Sequence, residues 1–96
     1  MWHSLRFRFS RAKSESLRRN PKRGIGFEEA QEVFAHPYYQ GQRSDDPEQY
    51  RVIGWAQGRL FTVISESRED RVGEYCHLVT LCRSTRAGRE LWEANS

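Results

Sequence analysis

Ninety-six residues, 36 % hydrophobic, 12 % aromatic and 30 % charged, suit one small soluble domain with a real core and exclude a disordered chain. No apolar run approaches the roughly 20 residues needed to cross a bilayer, and the start, MWHSLRFRFSR, lacks the apolar stretch of a secretory signal, so a cytoplasmic protein with no membrane contact is expected. The formal net charge of +3 is unevenly spread: residues 1–23 carry +7, residues 24–50 carry −5 and residues 51–96 carry +1, which suits a basic patch for an anionic partner and an acidic segment that shields it or pairs with it.

Leu5, Phe7 and Phe9 alternate with Arg6 and Arg8, the two-residue period of a half-buried strand. Ser10 offers a cap to a helix over residues 11–19, whose apolar side holds only Ala12 and Leu17, and Asn20-Pro21 ends it. After Gly24-Ile25-Gly26, the residues Phe27, Ala30, Val33 and Phe34 recur at helical spacing. Glu28 and Glu29 in the first turn favour the helix dipole, and His36-Pro37 stops this second helix. The polar run YYQGQRSDDPEQ, residues 38–49, reads as a loop.

Three strands follow, over residues 50–56, 60–67 and 75–83, joined by short turns that make neighbours antiparallel. The middle one is apolar on both sides and should be covered on both faces or by a partner. A last helix over residues 85–94, capped by Ser84 or Thr85, places Ala87, Leu91 and Ala94 on one stripe beside Trp92. It can fold back onto the sheet or offer itself to another chain. The whole is an α+β chain in the order β-α-α-β-β-β-α.

The last strand runs straight into Arg83 and Arg86, and cations at the mouth of a sheet suit an anion, with RNA the polyanion to consider first. A planar guanidinium can hold two phosphate oxygens, so Arg83 and Arg86 are the first candidates for phosphate contact, with salt bridges to Glu90 or Glu93 as the plain alternative. Arg51 and Arg68, on or beside neighbouring strands, can converge with Arg83. Lys22 and Arg23 add cations for an RNA backbone.

Metal-independent RNA cleavage needs a base for the 2′-hydroxyl proton, cations for the phosphoryl oxygens and an acid for the leaving 5′-oxygen. Lys13 can serve as base only if burial or nearby cations lower its pKa, and Glu66 is another candidate. His77, expected to share a face with Val79, Leu81 and Arg83, titrates in the right range for acid or base. Tyr50, Trp55 and Tyr75 can stack bases or pack in the core.

Cys76 and Cys82 lie in one strand, which at about 3.3 Å per residue puts their Cα atoms about 20 Å apart, so two reduced, buried thiols are expected. No CxxC occurs, and His3 and His36 lack ligand spacing, so neither a metal nor another cofactor is expected. There is no phosphate-cradling GxxxxGK loop and no GxSxG elbow.

Three stretches taken together resemble the BrnT toxin family. GIGFEEAQEVFAHP, residues 24–37, matches its glycine, aliphatic residue, Phe-Glu-Glu-Ala and Val-Phe-x-x-Pro; RVIGWAQGRLFTVISESRED, residues 51–70, is similar to its middle hairpin; and STRAGRELWE, residues 84–93, is similar to its ending. The resemblance implies a RelE/ParE-like fold, a twisted antiparallel sheet of about four strands with helices on one face and a shallow basic surface on the other. It further implies a ribonuclease toxin of a type II toxin-antitoxin pair that cleaves mRNA, with ribosome-associated mRNA one form of the substrate. Its partner would be a BrnA-like ribbon-helix-helix antitoxin, in an assembly that can be a heterotetramer.

Three departures stand out. Ser10 replaces the acid of an aromatic-Asp-x-x-Lys motif, Arg23 replaces a histidine before Gly24, and Cys82 occupies an arginine position, while Lys13, Arg68, Arg83 and Arg86 keep their cations. They leave open a module that retains the fold and the antitoxin-binding or RNA-binding surface without cleavage.

Overall fold

The computed structural model describes residues 6–95, so the readings of His3 and Leu5 lie outside the described residues. Alternation at the start gives a short strand β1 (Phe7–Arg8), and Ser10 caps helix α1 (Arg11–Arg19) by accepting from the Lys13 backbone N–H at 3.1 Å. The second predicted helix is only four residues of α-helix, α2 (Phe27–Ala30), continued by a tighter 3₁₀ turn (Gln31–Ala35). Then come β2 (Tyr39–Asp45), β3 (Glu48–Ala56), β4 (Arg59–Glu69), β5 (Glu74–Arg83) and α3 (Arg86–Ala94). Among the described residues no helix is long and apolar enough to cross a membrane.

The sheet has five strands in the order β1-β5-β4-β3-β2 and is not closed. Its neighbours are antiparallel except β1, which runs parallel to β5, so the sheet is mixed and one strand larger than expected. The added strand is β2, in the polar run expected to be a loop. As an edge strand against β3 it needs little apolar content, and the turn at Asp46-Pro47, with a cis peptide bond, sits between the two. Hydrophobic alternation therefore could not reveal it.

Helices α1 and α2 cover one face. Phe27, Val33, Val52, Phe61, Val63, Leu78 and Leu81 form its buried centre, with Leu17 of α1 and Phe34 of the 3₁₀ turn closing the sides. Two details set the fit. A Cβ on Gly54 would stand 2.8 Å from Val33 Cγ1, so the glycine lets the 3₁₀ turn lie directly on β3. Ser14 is fully buried; its hydroxyl accepts from the Phe27 N–H at 2.8 Å and donates to Glu28, which joins α1 to the first turn of α2. Arg18 bridges the same elements through Glu28 and Glu29, so the acidic segment does pair with the basic start.

Helix α3 packs on the opposite face, which corrects the expectation of helices on one side. Thr85 caps it, accepting from the Gly88 N–H at 3.2 Å, and Trp92 meets Trp55 edge-on with centroids 5.9 Å apart. Beneath it Ile53 and Leu60 are buried on the side of β3 and β4 away from the main core. The two-sided apolarity of β4 has this physical cause: one side packs on α1 and α2, the other partly on α3. The terminal helix thus folds back onto its own sheet.

Candidate functional site

One irregularity decides which side chains share the face left open beside α3. Ile64 pairs with Thr80 and Ser65 with Leu78, so Val79 has no partner opposite and forms a bulge in β5. Leu78 and Leu81, three residues apart, can then both point into the main core, each 1 % exposed. The bulge reverses the side-chain alternation, so His77 does not share a face with Leu81 and Arg83 as strict period-two reading requires. It faces away from the core.

On that side the register aligns Gln49 of β3, Glu66 of β4, His77 of β5 and Arg8 of β1 in one row across four strands. The next row sets Arg68 beside Tyr75, and on the other flank Arg51 pairs with Ile64 and Thr80. Gln49 donates to Glu66 Oε2 at 2.6 Å, and Arg68 Nε donates to Glu66 Oε1 at 2.8 Å. Arg43 of β2 donates to Gln49 Oε1 at 3.0 Å, extending the polar surface to the sheet edge. Arg6 and Arg8 lie over the Tyr75 ring, at 5.6 and 4.6 Å from its centroid, and both bond Asp70, at 2.9 and 2.5 Å.

These contacts set the charge states. The Gln49 hydrogen bond, with that of Arg68, holds the Glu66 carboxyl below the usual range despite its burial, so Glu66 is ionised near neutral pH. His77 is pushed down, first by burial and then by Arg68, with Glu66 opposing, so its imidazole is neutral there. Arg6 holds Asp70 at about 2, helped by the backbone N–H groups of Val72 and Gly73. The ion pairs leave uneven free charge: Arg68 is bonded to Glu66, and Arg6 and Arg8 to Asp70, whereas the Arg51 guanidinium has neither a hydrogen bond nor an ion pair among the described residues.

Arg51, Arg68, His77 and Tyr75 are therefore brought together, with Glu66 between them. Arg83 is not. It sits at the end of β5 opposite Phe61 and lines a separate hollow with Trp55, Arg59 and Arg89. Arg86 is 93 % exposed in the first turn of α3 and pairs with Glu90 at 3.6 Å, the plain alternative for this residue. Lys13 and Lys22 are exposed, on α1 and in the turn that follows it. Arg23 donates from Nε to the Leu81 carbonyl at 3.0 Å, closing the outer edge of β5 where the two-residue β1 no longer reaches.

Tyr50 lies on the core side, its hydroxyl bonded to Glu48, where Phe34, Tyr38 and Glu74 complete an acidic hollow of about 260 Å³. Trp55 is occupied by Trp92 and by Arg89, 5.5 Å from its ring centroid. Neither cysteine is fully buried as expected: Cys76 is half-buried, and Cys82 is exposed because β5 turns its odd and even residues to new sides after the bulge. Arg8 and Gln49 join the row without having been singled out from sequence. The alternation of Phe7 and Arg8 points to Arg8, while Gln49 lies in the run read as a loop.

The arrangement can do two things chemically. A neutral imidazole beside a carboxylate can take a proton and be stabilised as the cation, and guanidinium groups on either side can hold an anion's oxygens. In comparison with known proteins, the chain matches no family model and no curated protein shows significant similarity to it.

Proposed function

We propose that the chain is a BrnT-like ribonuclease toxin of a type II toxin-antitoxin pair, with a RelE/ParE-like fold, and that it cleaves mRNA on the open part of the sheet face beside α3. Two things support this reading: the resemblance of the three stretches to that family, and one geometric observation, the direct opposition of Glu66 and His77 between Arg8, Arg51 and Arg68.

In this reading the neutral imidazole of His77 takes the ribose 2′-proton and the Glu66 carboxylate stabilises the imidazolium that results. The 2′-oxygen attacks phosphorus, the P–O5′ bond breaks with its electron pair on the leaving oxygen, and a 2′,3′-cyclic phosphate remains. Water supplies the leaving oxygen's proton. Arg51 and Arg68 hold the phosphoryl oxygens as charge builds on them. A BrnA-like antitoxin would silence the toxin by covering this face, and a heterotetramer is one assembly that would do so.

Induced expression should arrest growth and shorten mRNAs. Changing His77→Ala should slow cleavage about 10²- to 10⁴-fold, the usual worth of an acid–base group, with the circular dichroism spectrum unchanged. The wild-type rate should rise with pH through a midpoint below about 6.5 and be level at neutrality, since the His77 pKa is lowered and the base acts deprotonated. Intact RNA and unimpaired growth would refute the nuclease. They would favour a second reading, a non-catalytic antitoxin-binding or RNA-binding module, to which the mutual neutralisation of Arg68 and Glu66 and the presence of Cys82 also point.

A further inference from the structure

Between α3 and the sheet runs a groove of about 370 Å³. Ile64 of β4 forms its floor, Leu91 and Ala87 of α3 its wall, and Cys82 of β5 one end, while Arg43 and Arg51 stand at the rim. None of the described side chains lining it is acidic, whereas the hollow on the other side of the sheet is lined by Glu48 and Glu74. The sheet thus separates a cationic groove from an acidic one, so an anion with an apolar part fits only the first.

The size narrows the choice. Small-molecule sites typically measure about 300–1,000 Å³, so the groove suits one planar group and no duplex. Apolar Ile64, Leu91 and Ala87 can contact the faces of a heterocycle, and a guanidinium can stack on one or hold its phosphate. Among the described residues Arg51 has no carboxylate partner, so a phosphate can bind it without breaking an ion pair there. Along the strands Arg51 and Ile64 lie two residues from Gln49 and Glu66 on the same face, and the groove opens beside the His77 row.

We propose that this groove is a base-binding subsite for one unpaired nucleotide of single-stranded RNA, whose phosphate is held at the rim by Arg51 and Arg43. It deepens, and rests on, the reading of this face as a ribonuclease site. With its phosphate at Arg51, two residues along β3 from the Gln49 that heads the His77 row, the bound nucleotide lies on the same face as His77, so the groove would choose a nucleotide near the cleaved bond.

Cys82 provides the readout, because its thiol is exposed in the groove while Cys76 is half-buried with its pKa raised by burial. With the full chain carrying His77→Ala to prevent turnover, a mixed-sequence hexaribonucleotide should slow modification of Cys82 by a thiol reagent at least about fivefold at saturation. Adding Ala87→Phe, which fills the groove from an exposed helix position, should weaken hexamer binding about tenfold, and Ala94→Phe on the last turn should leave it unchanged. Protection without any cleavage by the wild type would keep the subsite and discard the nuclease. Cleavage at the wild-type rate by Ala87→Phe, with Cys82 open to reagent, would discard the subsite and keep the nuclease. Shielding of Cys82 by a protein partner alone, and by no RNA, would overturn the proposal as well.

Discussion

The two faces of the sheet are made from the same strands yet solve different problems. The face under α1 and α2 buries Phe27, Val33, Phe61 and Leu81 completely, and the fully buried hydroxyl of Ser14 there both donates and accepts a hydrogen bond. The other face is covered by α3 over only part of its length, and beyond it polar and charged groups stand in rows held by one another. The difference teaches where stability and chemistry reside: dense packing fixes the strands, and the register they impose places Glu66 opposite His77.

The comparison breaks most sharply at the packed face. Phe27→Ala should cost about 3–5 kcal/mol in urea unfolding, the usual cost of emptying a buried aromatic site, and should lower any RNA activity only through loss of folded protein. Ser14→Ala should cost less, about 1–3 kcal/mol, because the Phe27 N–H is left unsatisfied in a buried place. A stability unchanged by Ser14→Ala would mean that α1 and α2 are held by apolar packing alone.

On the open face the expected effects are on binding. Arg51→Ala should weaken RNA affinity about tenfold, equivalent to 1.4 kcal/mol, and Arg83→Ala should change it by less than about twofold, since Arg83 faces a separate hollow. Equal losses from both would show that the RNA path runs past the end of β5 as well. Filter binding at fixed salt would decide between them.

The smallest effect concerns Asp70, which ties β1 to the turn before β5 through Arg6 and Arg8. Its pKa of about 2 lies below the unfolded value of about 3.9, so its contribution is complete above pH about 4 and is lost as pH falls toward 2. Asp70→Asn should flatten the stability–pH curve in that window and lower its level near neutrality, where the wild-type contribution is complete. An identical acid limb in wild type and variant would remove Asp70 from the account.

Much of the local structure was legible. Ser10 and Thr85 cap helices as their positions suggest, the residues Phe27, Ala30 and Val33 are buried, and β3, β4 and β5 begin and end close to the expected places. The candidate site was legible only in pieces. Arg51, Arg68, His77 and Tyr75 share the open face, but Arg83 and Arg86, the first choices, do not join them. The spacing Leu78-x-x-Leu81 was the available sign of the bulge, because two leucines three apart cannot both face the core in a regular strand.

Composition and periodicity by themselves determined the helix caps, the apolar stripes, the antiparallel run of the last three strands and the α+β class, since each depends on neighbours within a few residues. Only the tertiary structure decided that a polar segment becomes the edge strand β2, that α3 lies across the sheet from α1 and α2, and that one unpaired residue, Val79, turns His77 away from Arg83 and toward Glu66. Register between strands is set by how whole faces pack, and a one-residue offset moves every side chain beyond it to the other side.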